Sequence, residues 1–233
     1  MRPLLKRLRS RLLLPFTPRI VRRVRAEALT FLGPEALVDL FKTVRAYERH
    51  RAPGMLIEAG CAAGGSAIVI AAAKQPERLF QVYDVFGMIP PPGAQDDTRE
   101  HERYAVIREG RAAGIGERKY YGYEDDLLSQ VTASFTRHGF PAPKNNVHLI
   151  KGLFQDTMQI DQPVLLAHLD GDWYESVMTC LQRIAPHLVP GGRFVIDDYF
   201  SWAGCRRAVD EYFADKRHEF VFVRKTRLHI VRK

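Results

Sequence analysis

Four aspartates, arranged as two close pairs, are the residues whose spacing most clearly predicts chemistry. Asp170 and Asp172 directly follow one apolar run of the sequence, and Asp197 and Asp198 follow another. Neighbouring strands of a sheet lie about 4.8 Å apart, so carboxylates that follow two buried strands can converge on one point. A hard divalent cation, typically Mg²⁺, would relieve their repulsion. We expect Asp170, Asp197 and Asp198 to be metal ligands, although Asp172 and Asp198, taken singly, could also cap the helices that follow.

A metal at this position predicts activation of an acceptor hydroxyl, because coordination lowers the pKa of a bound hydroxyl and an adjacent carboxylate can take its proton. We assign the base role to Asp170, which follows its strand directly. His168 lies inside the same predicted strand and is more typical of a core residue than of a ligand. No GxSxG or HExxH motif is present, which disfavours hydrolases.

A glycine-rich turn after the first predicted strand has the features of a cofactor cradle. Its glycines allow a ligand to approach the backbone, and the helix that follows offers free N–H groups. The spacing is neither GxGxxG nor a P-loop, and an acid before the first glycine suits a cationic ligand end, such as the amino group of a methionine moiety. A purely structural tight turn is the alternative. The candidate contacts are Glu58, Gly60, Cys61, Ala62, Gly64 and Ser66.

Two further strand ends carry polar residues suited to a nucleoside. Asp84 ends the second predicted strand, where doubly wound folds place an acid that accepts hydrogen bonds from ribose hydroxyls. A helix cap or a solvated strand end is the alternative for Asp84. Gln155 and Asp156 follow the third strand, and either could meet the amino group of adenine.

Alternating strand and helix patterns position these residues. Predicted strands cover residues 55–59, 79–84, 147–151, 163–170, 190–198, 219–224 and 227–231. Predicted helices cover residues 35–50, a segment from about Ser66, residues 124–138, a segment through Met178 to His187, and residues 204–215. Five βα repeats followed by two short β runs predict an α/β fold with a doubly wound, mostly parallel, seven-stranded Rossmann-like sheet and a C-terminal antiparallel hairpin.

The expected domain organisation is a basic N-terminal helical arm over residues 1–34 and one catalytic domain over residues 35–233. Periodicity is lost over residues 85–123, an insertion long enough to be a functional lid or binding loop. The three cysteines form no CxxC pair, so neither a disulfide framework nor a cysteine zinc site is expected.

The net charge of +8 is concentrated in the arm, since nine of the 35 Lys and Arg residues lie within residues 1–25, which contain no acid. This distribution disfavours nucleic-acid binding by the catalytic domain. Leucines interleave with the cations at a spacing typical of an amphipathic helix. We expect a cytoplasmic protein and leave three roles open for the arm: packing on the domain, peripheral membrane or partner contact, and exchange between subunits of a homo-oligomer.

The linked motifs resemble the macrocin O-methyltransferase (TylF/MycF) family over residues 55–215. The matching segments are Glu58-x-Gly60-x-x-x-Gly64-Gly65, Tyr83-Asp84-Val85-Phe86-Gly87-x-x-Pro90, Gly152-x-Phe154-x-Asp156-Thr157, Leu169-Asp170-Gly171-Asp172-Trp173-Tyr174-Glu175-Ser176, Gly191-Gly192-x-x-x-Ile196-Asp197-Asp198-Tyr199 and Gly204-Cys205-Arg206-x-Ala208-Val209-Asp210. The resemblance implies a class I methyltransferase fold, S-adenosylmethionine as donor, Mg²⁺ dependence and methylation of sugar hydroxyls on natural products or related glycans. By position, Asp170, Asp197 and Asp198 match the family's metal ligands, Asp170 its proposed base, and Glu58, Gly60 and Asp84 its cofactor contacts.

Two departures leave the acceptor open: Val85 stands where the family usually has Ser, and the arginine-rich N-terminus is not typical of the macrolide enzymes. A catechol-type O-methyltransferase would share the metal chemistry, with Trp173, Tyr199 and Trp202 as possible partners for a flat phenol. A noncatalytic scaffold on the same fold is a third alternative, disfavoured by the presence of all three candidate metal aspartates.

Overall fold

A computed structural model of the protein describes residues 17–233. The predicted leucine-rich part of the arm therefore lies outside the described residues, which include only the end of the arm from residue 17 onward. The described chain forms one seven-stranded sheet in the order β3-β2-β1-β4-β5-β7-β6. The strands are β1 Met55–Ala59, β2 Phe80–Asp84, β3 Val147–Lys151, β4 Val164–Leu169, β5 Leu188–Ile196, β6 Phe220–Arg224 and β7 Leu228–Arg232.

The first five strands are parallel, and β7 pairs antiparallel with both β5 and β6. The predicted mostly parallel sheet with a C-terminal antiparallel hairpin is thus confirmed. Strand order reverses between β1 and β4, which are hydrogen-bonded neighbours in the sheet. Their last residues, Ala59 and Leu169, are register partners, and Leu169 is in turn the partner of Ile196. The chain therefore brings the glycine turn and both aspartate pairs to one edge.

Helices cover both faces of the sheet. They are α1 Arg19–Ala26, α2 Pro34–Arg49, α3 Gly65–Ala73, α4 Thr98–Arg108, α5 Leu127–Arg137, α6 Phe154–Thr157, α7 Tyr174–Ile184 and α8 Ala203–Tyr212. One face packs apolar residues of α1, α2, α3 and α5 against the strands, and the other face packs those of α7 and α8. Strands β1 and β4 are buried along their whole length, which explains why their sequences are apolar except for Glu58 and His168.

The described end of the arm packs on the domain. Val21 and Val24 of α1 are fully buried in the same core as α3. Gly65 donates its backbone N–H to the carbonyl of Leu29 at 2.9 Å, and a Cβ at Gly65 would lie only 2.6 Å from that oxygen. The segment after α1 therefore lies directly on the start of α3. No helix within residues 17–233 is long and apolar enough to cross a membrane.

The insertion over residues 85–123 is more ordered than the sequence indicates. It contains α4 and a single 3-10 turn, Tyr121–Tyr123. Helix α4 lacks an apolar stripe, so no helical periodicity marks it, and it is held instead by specific contacts of Glu100 and Ile107, both about 1% exposed. Tertiary hydrogen bonds thus supply the order that local sequence pattern does not.

Candidate active site

A cavity of about 270 Å³ opens at the carboxyl edge of the parallel strands. Its wall is formed by the glycine turn, the ends of β2, β4 and β5, the loop after β3 and the insertion. All three predicted metal ligands, Asp170, Asp197 and Asp198, line it, as does Asp172. This location is the one where open α/β sheets bind their ligands.

The glycine turn is packed tightly against the end of β4. Gly60 has φ +88°, and a Cβ there would collide with the backbone carbonyl of Asp170. The N–H of Gly60 donates to the carbonyl of Tyr83, and the N–H of Asp170 donates to the carbonyl of Ala59. Glycine is required at position 60 because only a residue without a side chain lets the two strand ends lie this close.

Asp84 holds the turn from the end of β2. One carboxylate oxygen accepts hydrogen bonds from the backbone N–H groups of Cys61 and Ala62, at 2.8 and 3.0 Å, and the other accepts from Phe86 at 2.7 Å. Burial raises the pKa of Asp84, and these three donors oppose that shift by stabilising the ionised form. Asp84 also lines the cavity, so it can order the turn and remain available to a ligand.

The predicted cofactor residues are divided between the cavity wall and the layer beneath it. Those that line the cavity are Gly60, Ala62, Asp84 and Gln155. Those that are buried or partly buried outside its lining are Glu58, Cys61, Gly64 and Ser66. Asp156 is exposed on the short helix α6 and does not line the cavity.

Three carboxylates form a cluster at the floor of the cavity. Asp170, Asp172 and Asp198 each offer an oxygen, and these oxygens all lie within 4.8 Å of one another. Burial, together with the neighbouring carboxylates, raises the pKa of both Asp170 and Asp198 well above the usual range. Burial likewise raises the pKa of Asp172 to about 6, although Trp202 donates its indole N–H to Asp172 Oδ1 at 3.0 Å.

Asp197, the remaining predicted ligand, faces different partners. Its Oδ1 accepts a hydrogen bond from the guanidinium of Arg227 and lies 3.7 Å from Nε2 of His168. Burial opposes ionisation of Asp197, but the nearby His168 and the hydrogen-bonded guanidinium of Arg227 keep its pKa below the ordinary value. In this structure Asp172 occupies the place in the cluster that the sequence interpretation gave to Asp197.

His168 lies between Glu58, which precedes the glycine turn, and Asp197, which follows β5. It is fully buried, as the sequence analysis expected of a core residue, and its Nδ1 lies 3.0 Å from Oε1 of the equally buried Glu58. Despite burial, the neighbouring carboxylates of Asp197 and Glu58 raise the pKa of His168 to about 9. A protonated His168 therefore compensates the charges of Glu58 and Asp197 at neutral pH. The second oxygen of Glu58 has no hydrogen-bond partner among residues 17–233.

The cluster has the chemistry of a divalent cation site. Its donors are carboxylate oxygens, the ligands that Mg²⁺ prefers. Asp198 Oδ2 is buried and has no hydrogen-bond partner among the described residues, which is costly for a carboxylate unless a cation accompanies it. The residues present therefore fit a bound divalent ion.

The sequence predicted a lid or binding loop over residues 85–123, but it did not identify which residues of that segment line the cavity, nor that Phe31 does. These residues form one wall of the cavity. This wall contains Phe31 before α2, Ile89 and Pro90 after β2, Arg103 and Ile107 of α4, and Tyr120 and Tyr121 near the end of the insertion. Arg103 is the only Lys or Arg among the described residues that line the cavity, and its guanidinium lies 5.8 Å from the ring centroid of Tyr120. The tyrosine-rich run at residues 120–123 was the only local signal of this wall.

The doubly wound sheet, its antiparallel C-terminal hairpin and a cavity at the strand-order reversal are the features of a class I methyltransferase. The chain belongs to the macrocin O-methyltransferase (TylF) family, whose sequence model matches residues 22–219. It is therefore an S-adenosylmethionine-dependent O-methyltransferase, and the predicted family and enzyme class are confirmed.

Individual relatives agree with this assignment. The chain is 35% identical over 191 residues to the 8-demethyl-8-(2,3-dimethoxy-alpha-L-rhamnosyl)-tetracenomycin-C 4'-O-methyltransferase of Streptomyces olivaceus, covering 79% of this chain and 67% of the relative. It is 30% identical over 194 residues to the mycinamicin III 3''-O-methyltransferase of Micromonospora griseorubida, covering 79% and 70%. The solved structure of the O-methyltransferase NovP shares the fold, with a TM-score of 0.71 and 23% identity over 91% of this chain and 87% of that one.

Proposed function

We propose that the protein transfers the methyl group of S-adenosylmethionine to a hydroxyl of the sugar of a glycosylated natural product, with the help of Mg²⁺. The observation that carries the proposal is the cluster of Asp170, Asp172 and Asp198 in the same cavity as the glycine turn. The relative from S. olivaceus supports the acceptor class, since its name describes a rhamnosyl-bearing tetracenomycin.

Asp170 and Asp198 are the proposed core of the metal site, because they belong both to the carboxylate cluster and to the set that the family resemblance implies. The resemblance gives the third position to Asp197, whereas the arrangement found here gives it to Asp172. A bound Mg²⁺ would neutralise these carboxylates and lower the pKa of an acceptor hydroxyl.

The chain's own residues have separate proposed roles around the donor and the acceptor. Gly60, Ala62 and Asp84 form the cradle for the donor, and Glu58, paired with His168, lies beneath it. Gln155 is the proposed contact for the adenine of the donor, because it lines the cavity whereas Asp156 is exposed outside it. Cys61, Gly64 and Ser66 are buried beneath the cavity lining and are proposed to support the cradle.

Proton removal from the acceptor is assigned to a carboxylate oxygen of Asp170. This residue follows β4, lines the cavity and is adjacent to Gly60 through its backbone carbonyl. It therefore lies between the donor cradle and the remaining carboxylates. The proton passes to the Asp170 oxygen as the hydroxyl oxygen forms its bond to the methyl carbon and the donor sulfur departs.

A catechol is the alternative acceptor, favoured by one observation: the indole of Trp202 lines the cavity next to Asp172. Trp173 also lines it, but its indole N–H is bonded to the carbonyl of Pro90. Tyr199 does not line the cavity, and its hydroxyl donates to Asp210. Only two of the three aromatic residues considered from sequence could thus contact a phenol.

Labelled methyl transfer distinguishes these acceptors. The protein, S-adenosylmethionine and Mg²⁺ are incubated with a rhamnosyl tetracenomycin bearing a free 4'-hydroxyl, or with catechol, and products are identified by mass spectrometry. We expect methylation of the glycoside and its loss in Asp170→Asn, with Asp161→Asn, an exposed acid outside the cavity lining, as the control. Methylation of catechol alone would reject the sugar acceptor.

Metal titration separates the two candidates for the third ligand. Mn²⁺ binding is measured by electron paramagnetic resonance for Asp172→Asn and Asp197→Asn, with Asp161→Asn as the control. If Asp172 is a ligand, its substitution weakens Mn²⁺ binding by about tenfold or more, while the Asp197 variant retains most of its affinity. The reverse order assigns the position to Asp197.

Within the arm predicted over residues 1–34, the part before residue 17 is proposed as a contact element for a second subunit or a membrane surface, because Val21 and Val24 pack into the core of the domain predicted over residues 35–233. Residues 85–123 are the proposed lid of that domain. Deletion of residues 1–16 tests this without touching the packed helix α1. We expect a smaller assembly in size-exclusion chromatography or a loss of sedimentation with anionic vesicles. An unchanged profile in both measurements would contradict the proposal.

A further inference from the structure

Phe31 is an aromatic residue that lines the catalytic cavity and yet is 50% exposed. A side chain that borders both the cavity and solvent marks the cavity's mouth. Its ring lies 6.2 Å from that of Tyr121 in an edge-to-face arrangement and 6.4 Å from that of Tyr120. Met88, next to the lining residue Ile89, is also exposed, at 41%.

The backbone that carries Phe31 is fixed on both sides. Arg25 donates from Nη1 to the carbonyl oxygens of Thr30 and Leu32, at 3.3 and 2.9 Å. The hydroxyl oxygen of Thr30 accepts a hydrogen bond from the backbone N–H of Leu32 at 3.1 Å. Arg25 and Thr30 thus restrain the residues on either side of Phe31. The backbone of Phe31 is therefore fixed in the position that leaves its side chain exposed.

The neighbouring tyrosines are also held in place. Tyr120 is 3% exposed, and its ring packs against that of Tyr121 in a tilted arrangement with a centroid distance of 4.4 Å. Tyr123 packs on Tyr120 and donates its hydroxyl to the carbonyl of Ile107 at 2.6 Å. The aromatic mouth is thus a preformed surface, which needs little ordering when it meets a ligand.

The two ends of the cavity have opposite chemistry. The floor presents the carboxylates of Asp170, Asp172 and Asp198, whereas the wall that leads to Phe31 presents Ile89 and Ile107. A molecule that fills such a cavity has a hydroxyl-bearing end at the floor and an apolar part at the mouth. Flat apolar groups gain additional energy from edge or offset contacts with aromatic rings.

We propose that Phe31 and Tyr121 form a subsite for a flat, apolar aglycone attached directly to the sugar that is methylated. This inference rests on the proposed function, because it takes the polar end of the acceptor to be a sugar. It adds a recognition element outside the donor cradle and the carboxylate cluster.

Matched glycosides test the subsite. Binding of 4-nitrophenyl α-L-rhamnoside and methyl α-L-rhamnoside is measured by calorimetry on the full chain saturated with S-adenosylhomocysteine and Mg²⁺, and methyl transfer to both is measured in parallel. We expect the aryl glycoside to bind about tenfold more tightly, because one additional contact between aromatic rings contributes about that much affinity. Phe31→Ala should abolish this preference, and Phe31→Tyr should restore it. Val221→Ala, an exposed apolar position on β6 away from the cavity lining, should leave it intact.

Equal affinity for the two glycosides, or an aryl preference that survives Phe31→Ala, would overturn the subsite. An aryl preference that appears only after deletion of residues 1–16 would also overturn it, and would assign the mouth to the N-terminal segment of the chain. Failure of the proposed function gives a different result. In that case catechol is methylated and neither rhamnoside is, while the aryl preference in binding still depends on Phe31. This result would reject the sugar acceptor and leave an aromatic subsite.

Discussion

Oε1 of Glu100 lies 2.6 Å from the backbone nitrogen of Ala203, and the same oxygen accepts a second hydrogen bond from Gly204 at 3.1 Å. A buried carboxylate of the insertion thus occupies the N-terminus of α8, where its charge is favoured by the helix dipole. Asp96 makes the equivalent contact with α7, since its Oδ1 accepts from the backbone N–H of Tyr174 at 2.9 Å. The insertion is therefore hydrogen-bonded to the N-termini of the two helices that follow the two aspartate pairs.

Removing the Glu100 carboxylate should loosen this attachment. Glu100→Ala is expected to lower the free energy of unfolding by about 1–3 kcal/mol, the usual cost of leaving buried hydrogen-bond donors unsatisfied. It should also raise the acceptor KM, because α4 carries Arg103 and Ile107 to the cavity. Urea unfolding and steady-state kinetics check both effects. Glu102→Ala, an exposed position on the same helix, is the control, and equal behaviour of the two variants would contradict the prediction.

Arg103 should act on the acceptor and not on the donor. It is the only Lys or Arg among the described cavity-lining residues, and its charge opposes the rise that burial causes in the pKa of Asp172 in the carboxylate cluster. Arg103→Met is expected to lower kcat/KM for the glycoside about tenfold or more, as the loss of a charged hydrogen bond does. The affinity for S-adenosylhomocysteine should stay within about twofold of wild type. Arg108→Met, at the exposed end of α4, is the matched control, and a selective loss of S-adenosylhomocysteine affinity in Arg103→Met would place Arg103 on the donor instead.

His168 should be important for stability. Its substitution leaves Glu58 and the adjacent Asp197 as buried carboxylates with one charge partner fewer. His168→Ala is expected to cost about 3–5 kcal/mol of unfolding free energy, the range for removing one partner of a buried ion pair. Chemical denaturation measures this cost. His148→Ala, an exposed histidine on β3, should cost much less, and a similar loss in the two variants would show that the buried pairing contributes little.

The ion pair between α2 and the hairpin predicts a pH-dependent contribution to stability. Asp39 lies 2.9 Å from Nζ of Lys225 and 2.7 Å from Nε2 of His229. Burial alone would raise the pKa of Asp39, but the hydrogen bonds from His229 and Lys225 outweigh it and hold the pKa below the ordinary 3.8. Because the folded-state pKa is lowered, the stabilisation is present above pH 3.8 and is lost as the pH falls through the folded-state value.

Asp39→Asn should therefore destabilise the protein at pH 7 by up to about 1 kcal/mol, a modest effect because the pair is partly exposed. The difference from wild type should shrink progressively below pH 3.8. Thermal unfolding at a series of pH values measures it, with Asp125→Asn as the exposed control. A difference that stays constant through the acid range would show that the Asp39 charge is not responsible.

The sheet, and the edge of it where Gly60 and the aspartates lie, were predictable because short stretches of sequence specify them. The apolar runs of β1 and β4 are complete strands in the structure, and acids or glycines follow them immediately. Those positions fixed the convergence of Gly60, Asp170 and Asp197 on one edge. Most predicted element ends differ by a few residues from the observed ones; helix α5, for example, begins after Asp126, which caps it by accepting from the backbone N–H of Ser129.

The rest of the site depended on contacts between residues far apart in sequence. Helix α4 has no apolar periodicity, and its order comes from Glu100 and the N-terminus of α8, about a hundred residues later. The same limitation applies to the third member of the carboxylate cluster. The order of residues in the chain does not show that Arg227 donates a hydrogen bond to Asp197. Nor does it show that Trp202 donates one to Asp172, which lies in the cluster with Asp170.

The most direct test of the central claim is methyl transfer by EDTA-treated protein before and after Mg²⁺ is returned, with wild type compared with Asp170→Asn on the same glycoside. The account predicts that activity falls by about a hundredfold or more without the ion, since the ion supplies electrostatic stabilisation at the reacting oxygen. Mg²⁺ should restore activity to the wild type and not to Asp170→Asn. Full activity of the wild type in EDTA, or of Asp170→Asn with Mg²⁺, would contradict it.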